Sequence, residues 1–342
     1  MSSASSANAA VESAHDLPCA FYSVSDSRFF LGAVALVNSL RLVGHDEPIF
    51  IVDTGLTPGQ QSRLADHVTL IPAPHAEASV LLTPLGPSIR PAQVQILIDA
   101  DIIVTHPLSR FIEAARAGRI VAFVEPEPTH TRSFREWTSA LDLPRLRSQP
   151  YVNAGQLFVP ESLGRRLYPS WSEAQRKVDL KETRYGKARL SDPFYFADQD
   201  VLNAVLASHF EVEELMLAEH RLAPHYPFPG LDLVDATELV CRYGDGAEPS
   251  LLHHILAKPW LKATRTTVYS LLLPRLLLAP DVALQLDPGE LPLRLRHGRL
   301  AAVDRRRAHV QTLIYAHSRR QLGRLGIRTR IAEWRRRGRD RP

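Results

Sequence analysis

Cysteine is nearly absent. The 342 residues hold two, Cys19 and Cys241, too few for a disulfide framework and in keeping with a reducing compartment. Long apolar runs are absent as well. The best candidate, Val268 to Pro280, is short and interrupted by Pro274 and Arg275, whereas a bilayer-spanning helix needs roughly 20 apolar residues. Residues 1–16 lack the basic start and apolar stretch of a secretory leader; they are Ser/Ala-rich and polar and read as a disordered tail. No internal repeat is visible. These absences predict a soluble or peripheral protein of the cytoplasm.

Lysine is scarce, and the C-terminal region has none. From Leu291 to Pro342 there are 16 arginines, no lysines and three acids, Asp304, Glu333 and Asp340. That segment carries +13, and since the whole chain is +4, the remainder is −9. An acidic body with a basic tail predicts an anionic partner for the tail. Ala308–Trp334 mixes Leu, Ile, Tyr and Trp with arginine, the pattern of an interfacial amphipathic helix on an anionic membrane surface. Nucleic acid is a weaker match, because no reading module is visible, and a solvated tail is the third reading. The leucine-rich stretch at 268–278 is expected to bury itself against the body or a second subunit, so a homo-oligomer stays open.

Hydrophobic residues make up 45% of the chain, enough for one large α/β domain with an appendage. Ala20–Val24 and PIFIVD at 48–53 read as strands, with a helical pattern between them through Phe30, Ala33, Val37 and Leu40. Thr57-Pro58-Gly59-Gln60 has the marks of a helix start. Val68–Ile71, Ile120–Val124 and Tyr151–Val159 are further strand candidates, and short strands are expected at Phe210–Glu213 and Glu238–Tyr243. A polar helical region is expected over 161–182, and residues 126–150 form a Pro- and Arg-rich connection. Strands alternating with helices predict a mostly parallel sheet covered on both faces.

Within this order stands QILIDADIIV at 95–104. Two carboxylates are costly inside an apolar run. With the strand ending at Ile98, Asp99 and Asp101 fall at its carboxyl edge, where open α/β sheets bind ligands. Adjacent carboxylates there repel unless a cation lies between them, and hard ions such as Mg²⁺ or Mn²⁺ accept one or two carboxylates together with diphosphate oxygens. The residues alone also allow a helix cap and a solvated partner.

IDAD after an apolar strand, then VNAG at 152–155, ADQDVLN at 197–203 and KPW at 258–260 resemble, in that order, family 8 of the retaining nucleotide-sugar glycosyltransferases, the glycogenin and bacterial galactosyltransferase group. The likeness covers about residues 18–262. It implies a GT-A fold, a UDP-hexose donor, Mn²⁺ and retention of anomeric configuration, in a bacterial enzyme at the cytoplasmic membrane face. Together with the composition of the two ends, it gives an expected division into a tail (1–17), a GT-A domain (18–262) and a Leu- then Arg-rich helical extension (263–342).

By the same resemblance Asp99 and Asp101 are metal ligands, Asp99 also facing the donor sugar. Asn153 and Gly155 contact the sugar, Asp198 binds its hydroxyls, and Gln199 lies beside the anomeric carbon. A glutamine is a poor nucleophile, so front-face attack is favoured over double displacement. Asp200 reads equally as the N-cap of the next helix. Ser25 and Asp26 stand where uridine is recognised, with Phe29 or Phe30 available for stacking. Lys258 meets the diphosphate.

The third metal ligand departs from the family pattern. A histidine is expected six residues before Lys258 and a glycine three before it, but Leu252 and Ile255 stand there. His253 becomes the ligand if one residue is deleted, with His254 as the alternative. The basic residue that the family carries on a helix well before the first Asp is also out of place: Arg90 lies only nine residues before Asp99. Two rival readings remain. A nucleotidyltransferase wants a Gly- and Lys/Arg-rich phosphate loop after the first strand, which SVSDSRFF lacks. A non-catalytic module that binds sugar nucleotide, or only scaffolds, is kept open by the missing glycine.

Overall fold

The computed structural model describes residues 17–73, 78–262, 265–296 and, beyond these, 298–300, 302–304, 306, 307 and 310. The expected N-terminal tail (except Leu17) and the expected membrane-surface helix at Ala308–Trp334 (except Val310) lie outside them.

The first half of the chain alternates strand and helix: β1 (Ala20–Ser25), α1 (Phe30–Leu42), β2 (Ile49–Asp53), α2 (Pro58–Leu64), β3 (Thr69–Pro72), α3 (Leu85–Ile89) and β4 (Val94–Ile98). A short β5 (Ile102–Val104) follows, then α4 (Ser109–Arg116), β6 (Ile120–Val124), α5 (Glu136–Leu141) and β7 (Val152–Pro160). Next come α6 (Glu161–Gln175), α7 (Asp198–His209), β8 (Leu215–Ala218), β9 (Leu231–Asp235), β10 (Val240–Tyr243), β11 (Leu251–His253) and α8 (Val268–Leu278). Helix α2 starts as its residues dictate. Thr57 Oγ1 accepts from Gln60 N at 3.3 Å, and Gln60 Oε1 accepts from Thr57 N at 3.0 Å, so two otherwise orphaned donors are satisfied together.

Seven strands form one sheet in the order β3-β2-β1-β4-β7-β6-β8. The pairs β1–β2, β1–β4, β2–β3 and β6–β8 are parallel, while β7 runs antiparallel to β4 and β6. Side-chain alternation sends Val94, Ile96 and Ile98 into a core shared with α1, α4 and α8, and Leu97 into an opposite core with α6 and α7. Helices thus cover both faces, the mainly parallel α/β architecture that the alternating pattern predicts.

Residues 268–295 contribute to the same core. Asn38 of α1, fully buried, donates to the carbonyls of Leu276 and Leu284 at 2.6 and 2.8 Å and accepts from Leu284 N at 2.8 Å. One side chain thereby satisfies three backbone groups, and Leu272, Leu273, Leu276, Leu277 and Leu295 pack beside α1. No helix among the described residues is long and apolar enough to cross a membrane.

Three expected elements differ. The strand anticipated at Phe210–Glu213 begins later, as β8. Glu214 accepts from Glu211 N at 2.8 Å and fixes residues 212–214 as a 3₁₀ turn, which leaves Val212 60% exposed. The helical region 161–182 ends as a helix at Gln175. The expected strand 238–243 is β10, and its partner β9 was not anticipated, because its residues are half exposed and carry no continuous apolar run.

Candidate active site

Strand β4 ends at Ile98 because the chain turns there. Asp99 N donates to Gly155 O at 2.8 Å, and Ile102 N donates to Asp99 O at 3.1 Å. The turn places both aspartates at the carboxyl edge of the sheet, and Ile102–Val104 then forms a separate antiparallel ladder with β11, in which His253 stands opposite Ile102. His254 N continues the ladder to Asp101 O at 3.1 Å.

This register decides between the two histidines. Side chains of successive residues point to opposite sides, so His253 faces the carboxylates and His254 does not. His253 Nε2 lies 3.1 Å from Asp101 Oδ1 and 3.4 Å from Asp99 Oδ2. His254 is instead boxed by the rings of Tyr226, Tyr269 and Phe228, at centroid distances of 4.7, 5.0 and 6.2 Å. Burial, and then the charge of Lys258, lower its pKa to about 4, so it is neutral at physiological pH.

One ligand atom each from Asp99, Asp101 and His253 lies within 4.8 Å of the other two, close enough to share a metal ion. The donor set fits such an ion on a second ground: Asp101 Oδ1 is buried and meets no donor in good hydrogen-bond geometry among the described residues, its near neighbour being His253 Nε2, and a cation between them would satisfy both. The other oxygen of Asp101 accepts from Lys258 Nζ, which also donates to His254 O.

Burial alone would lower the His253 pKa, but the Asp101 and Asp99 carboxylates outweigh it and hold the pKa at about 9. Burial likewise opposes ionisation of Asp101, and Lys258 and His253 overcome it, so the Asp101 pKa lies well below the usual carboxylate range. In the metal-free protein this pairing stabilises the fold fully between pH 3.8 and 6.5, the ordinary carboxylate and imidazole values, fades as pH rises through about 9, and weakens again in acid as Asp101 takes up its proton. Metal binding requires His253 to release its proton. Apparent Mn²⁺ affinity should therefore climb about tenfold per pH unit through neutrality and level off near 9; calorimetric titrations at several pH values giving one constant Kd would contradict this.

Glycine at 155 is required by contact. A Cβ there would press on His253 Cε1 and lie 2.6 Å from Asp99 Oδ2 and 3.0 Å from Asn153 Oδ1. Asn153 Oδ1 accepts from Gly155 N at 2.8 Å, and its amide donates to Glu125 Oε1 at 2.6 Å. Glu125 also receives Gln199 Nε2 at 3.3 Å and pairs with His225 Nε2 at 2.8 Å. Gln199 Oε1 accepts from Ala154 N at 3.2 Å, so the Gln199 amide is held at both ends.

Helix α7 brings Asp198, Gln199 and Asp200 into its first turn, a favourable position for carboxylates. Ala197 just before it has φ +52°, a conformation that costs a Cβ-bearing residue energy and is found at constrained sites. Asp198 lines the cleft. Its enclosing surroundings push its pKa up to about 7, opposed by the charge of Arg184 and reinforced by Asp99. Asp200 is not the N-cap its position suggested. It is the third helical residue, fully buried, and takes Arg132 at 2.6 and 2.9 Å, the Tyr151 hydroxyl at 2.8 Å and Phe196 N at 2.7 Å.

These groups open on one cleft of about 560 Å³, which Ser25, Asp26 and Phe29 also line. Ser25 is buried, and Asp26 Oδ1 accepts from Arg28 N and Phe29 N at 2.8 and 3.0 Å, which fixes the β1–α1 turn. Phe30 belongs to the core. Trp260 clamps this turn from the other side by donating from Nε1 to Arg28 O at 2.7 Å, and its ring would meet any side chain at Gly32. Arg90 is not among the cleft residues; Ser79, Val80 and Thr83 represent that region.

Four cleft residues with charged or aromatic side chains were not expected from the sequence. Arg184, Tyr185, Tyr195 and Phe196 come from the loop between α6 and α7 and have no periodic pattern to announce them. Glu125 supports the cleft from behind and did have a signal: a carboxylate directly after the apolar strand IVAFV, as Asp99 follows VQILI.

Many solved structures resemble the chain, among them the following three. The galactosyltransferase LgtC in complex with donor and acceptor sugar analogues is 14% identical over 77% of this chain and 98% of its own, with a TM-score of 0.48. An active-site variant of LgtC with glutamine changed to glutamate is 16% identical with the same coverage and a TM-score of 0.50. The bifunctional glycosyltransferase WbbM, in its apo form, is 14% identical over 76% of this chain and 50% of its own, with a TM-score of 0.51. The fold is the GT-A fold. No protein-family model and no curated protein matches the sequence. On the GT-A sheet the Asp99–Asp101–His253 cluster sits at the carboxyl edge of β4, in the cleft that Asn153–Gly155 and Asp198–Gln199 share.

Proposed function

We propose that this chain is a metal-dependent retaining hexosyltransferase of the family 8 type, moving a hexose from a UDP-sugar to an acceptor that is a glycan, a lipid or a small molecule. One observation carries the reading. The three metal-competent side chains, the Asn-Ala-Gly strand and the Asp-Gln helix start converge on a single cleft of the GT-A fold. Asp99, Asp101 and His253 would hold Mn²⁺, with Mg²⁺ as the substitute; two carboxylates and an imidazole suit the former. Such an ion supplies charge neutralisation to a departing diphosphate.

The chain's own residues do the rest. Lys258 keeps Asp101 ionised and adds positive charge on the diphosphate side. Ser25 and Asp26 take the uridine end. Asn153, Gly155 and Asp198 receive the sugar, whose hydroxyls match the amide's donor and acceptor and the carboxylate's lone pairs. Gln199 lies along the sugar with its amide fixed by Ala154 N and Glu125. A pinned amide can stabilise developing positive charge at the anomeric carbon but is a poor nucleophile, which supports attack from the same face as the leaving group. The neighbour whose active site was altered at a glutamine accords with a working glutamine at 199.

Purified protein incubated with a panel of UDP-hexoses should release UDP only when Mn²⁺ or Mg²⁺ is present. The absence of release with every sugar and of metal-dependent UDP binding would sink the transferase reading.

A further inference from the structure

Besides His253, two cationic side chains line the cleft, Lys258 and Arg184. Lys258 is committed to Asp101 and to His254 O. Arg184 is not committed to any carboxylate among the described residues: its guanidinium donates to the Tyr185 hydroxyl at 3.0 Å, and no ion pair joins it. It is nevertheless surrounded by negative charge. Burial would lower its pKa, and the Tyr185 oxygen, Asp198 and Asp99 reverse that effect. Arg184 lines the cleft that Asp99, Asp198 and Lys258 also line, and its exposed side chain leaves its fork of donors open to a ligand.

The position is built. Arg184 N donates to Tyr195 O at 2.8 Å and closes the base of the loop. Thr183 beside it is fully buried, with its hydroxyl on Leu180 O at 2.7 Å. Further along, Arg132 donates to Leu190 O and Asp192 O, each at 2.6 Å, and Trp137 Nε1 to Pro193 O at 2.7 Å. Gly186 passes so close to the Lys181 backbone that a Cβ would lie 2.7 Å from Lys181 Cα. A loop tied at its base and middle, and packed this tightly after the arginine, holds that side chain toward the cleft.

The geometry points to Arg184 as the residue that binds the transferred hexose, donating to its hydroxyls while Asp198 accepts from them. The inference rests on the donor reading above and deepens it. On this reading Arg184, from the loop between α6 and α7, provides the basic side chain that Arg90 does not bring to the cleft. Tyr185, 55% exposed, lines the cleft from the same loop, so sugar selectivity should reside in residues 184–185 and 198.

Calorimetric titration of the full chain in Mn²⁺ tests this, with UDP and with the UDP-hexose that the wild type binds. Arg184→Gln should leave the Kd for UDP within about twofold and weaken UDP-hexose at least tenfold. Arg184→Lys, which keeps the charge but not the planar fork, should recover only part of that loss. Unchanged UDP-hexose affinity in Arg184→Gln overturns the assignment. Equal weakening for UDP and UDP-hexose also overturns it, since it places the side chain on the diphosphate. A wild type that binds neither ligand overturns the donor reading, and this inference with it. Thermal unfolding of each variant should match the wild type, because the guanidinium's single bond is to a neighbouring, half-exposed phenol.

Discussion

Asp101→Asn should remove UDP-hexose turnover by at least about 10³-fold, the scale expected when a group that stabilises developing charge is lost. Three physical effects act together. The amide loses the charge that makes Asp101 a hard-metal ligand. It loses the partner that raises His253, so the imidazole is no longer held between two carboxylates. It also leaves Lys258, 7% exposed, without its counter-ion, and breaking a buried pair from one side costs about 3 kcal/mol or more. Stability will therefore drop as well, and the assay belongs at a temperature where circular dichroism shows the variant folded. Under that condition turnover near the wild-type rate would refute the metal assignment.

Gly155→Ala should be nearly as damaging although it removes no functional group. The added methyl enters a strand whose backbone is fixed by Asp99 N on Gly155 O and by Gly155 N on Asn153 Oδ1, both at 2.8 Å. It cannot retreat, so Asp99 and His253 must move. Overpacking of this kind costs about 1–3 kcal/mol, and displacing ligands from their supporting shell weakens metal affinity by about 10–100-fold. Equilibrium dialysis against Mn²⁺ reads the second effect and urea unfolding the first. Wild-type metal affinity in this variant would show that the strand has slack, and that the glycine serves another purpose.

The parts of the site that could be read in the sequence are those with local causes. Asp99 and Asp101 stood out because carboxylates after a strand such as VQILI are costly without a use, and β4 does end at Ile98. Asn153 and Gly155 lie inside one continuous strand, and Asp198 and Gln199 open a helix. The choice between His253 and His254 had a non-local cause. It depends on the pairing of β11 with β5 across about 150 residues of chain, and a shift of one residue would have exchanged the two side chains. Arg184 was invisible for a different reason: loops lack the periodicity that lets position imply direction. The role of residues 268–295 turned on Asn38, whose three backbone partners lie more than 230 residues away, and no spacing within the leucine-rich stretch reveals that contact.

A metal centre of Asp99, Asp101 and His253 would let the cleft recognise a nucleoside diphosphate through the bound ion. The most direct measurement is calorimetric titration of UDP into the purified full chain, first with chelator and then with saturating Mn²⁺. UDP affinity should gain strongly on adding Mn²⁺, and Asp101→Asn should lack that gain. Equal UDP affinity with and without metal, or a gain that Asp101→Asn retains, would contradict it.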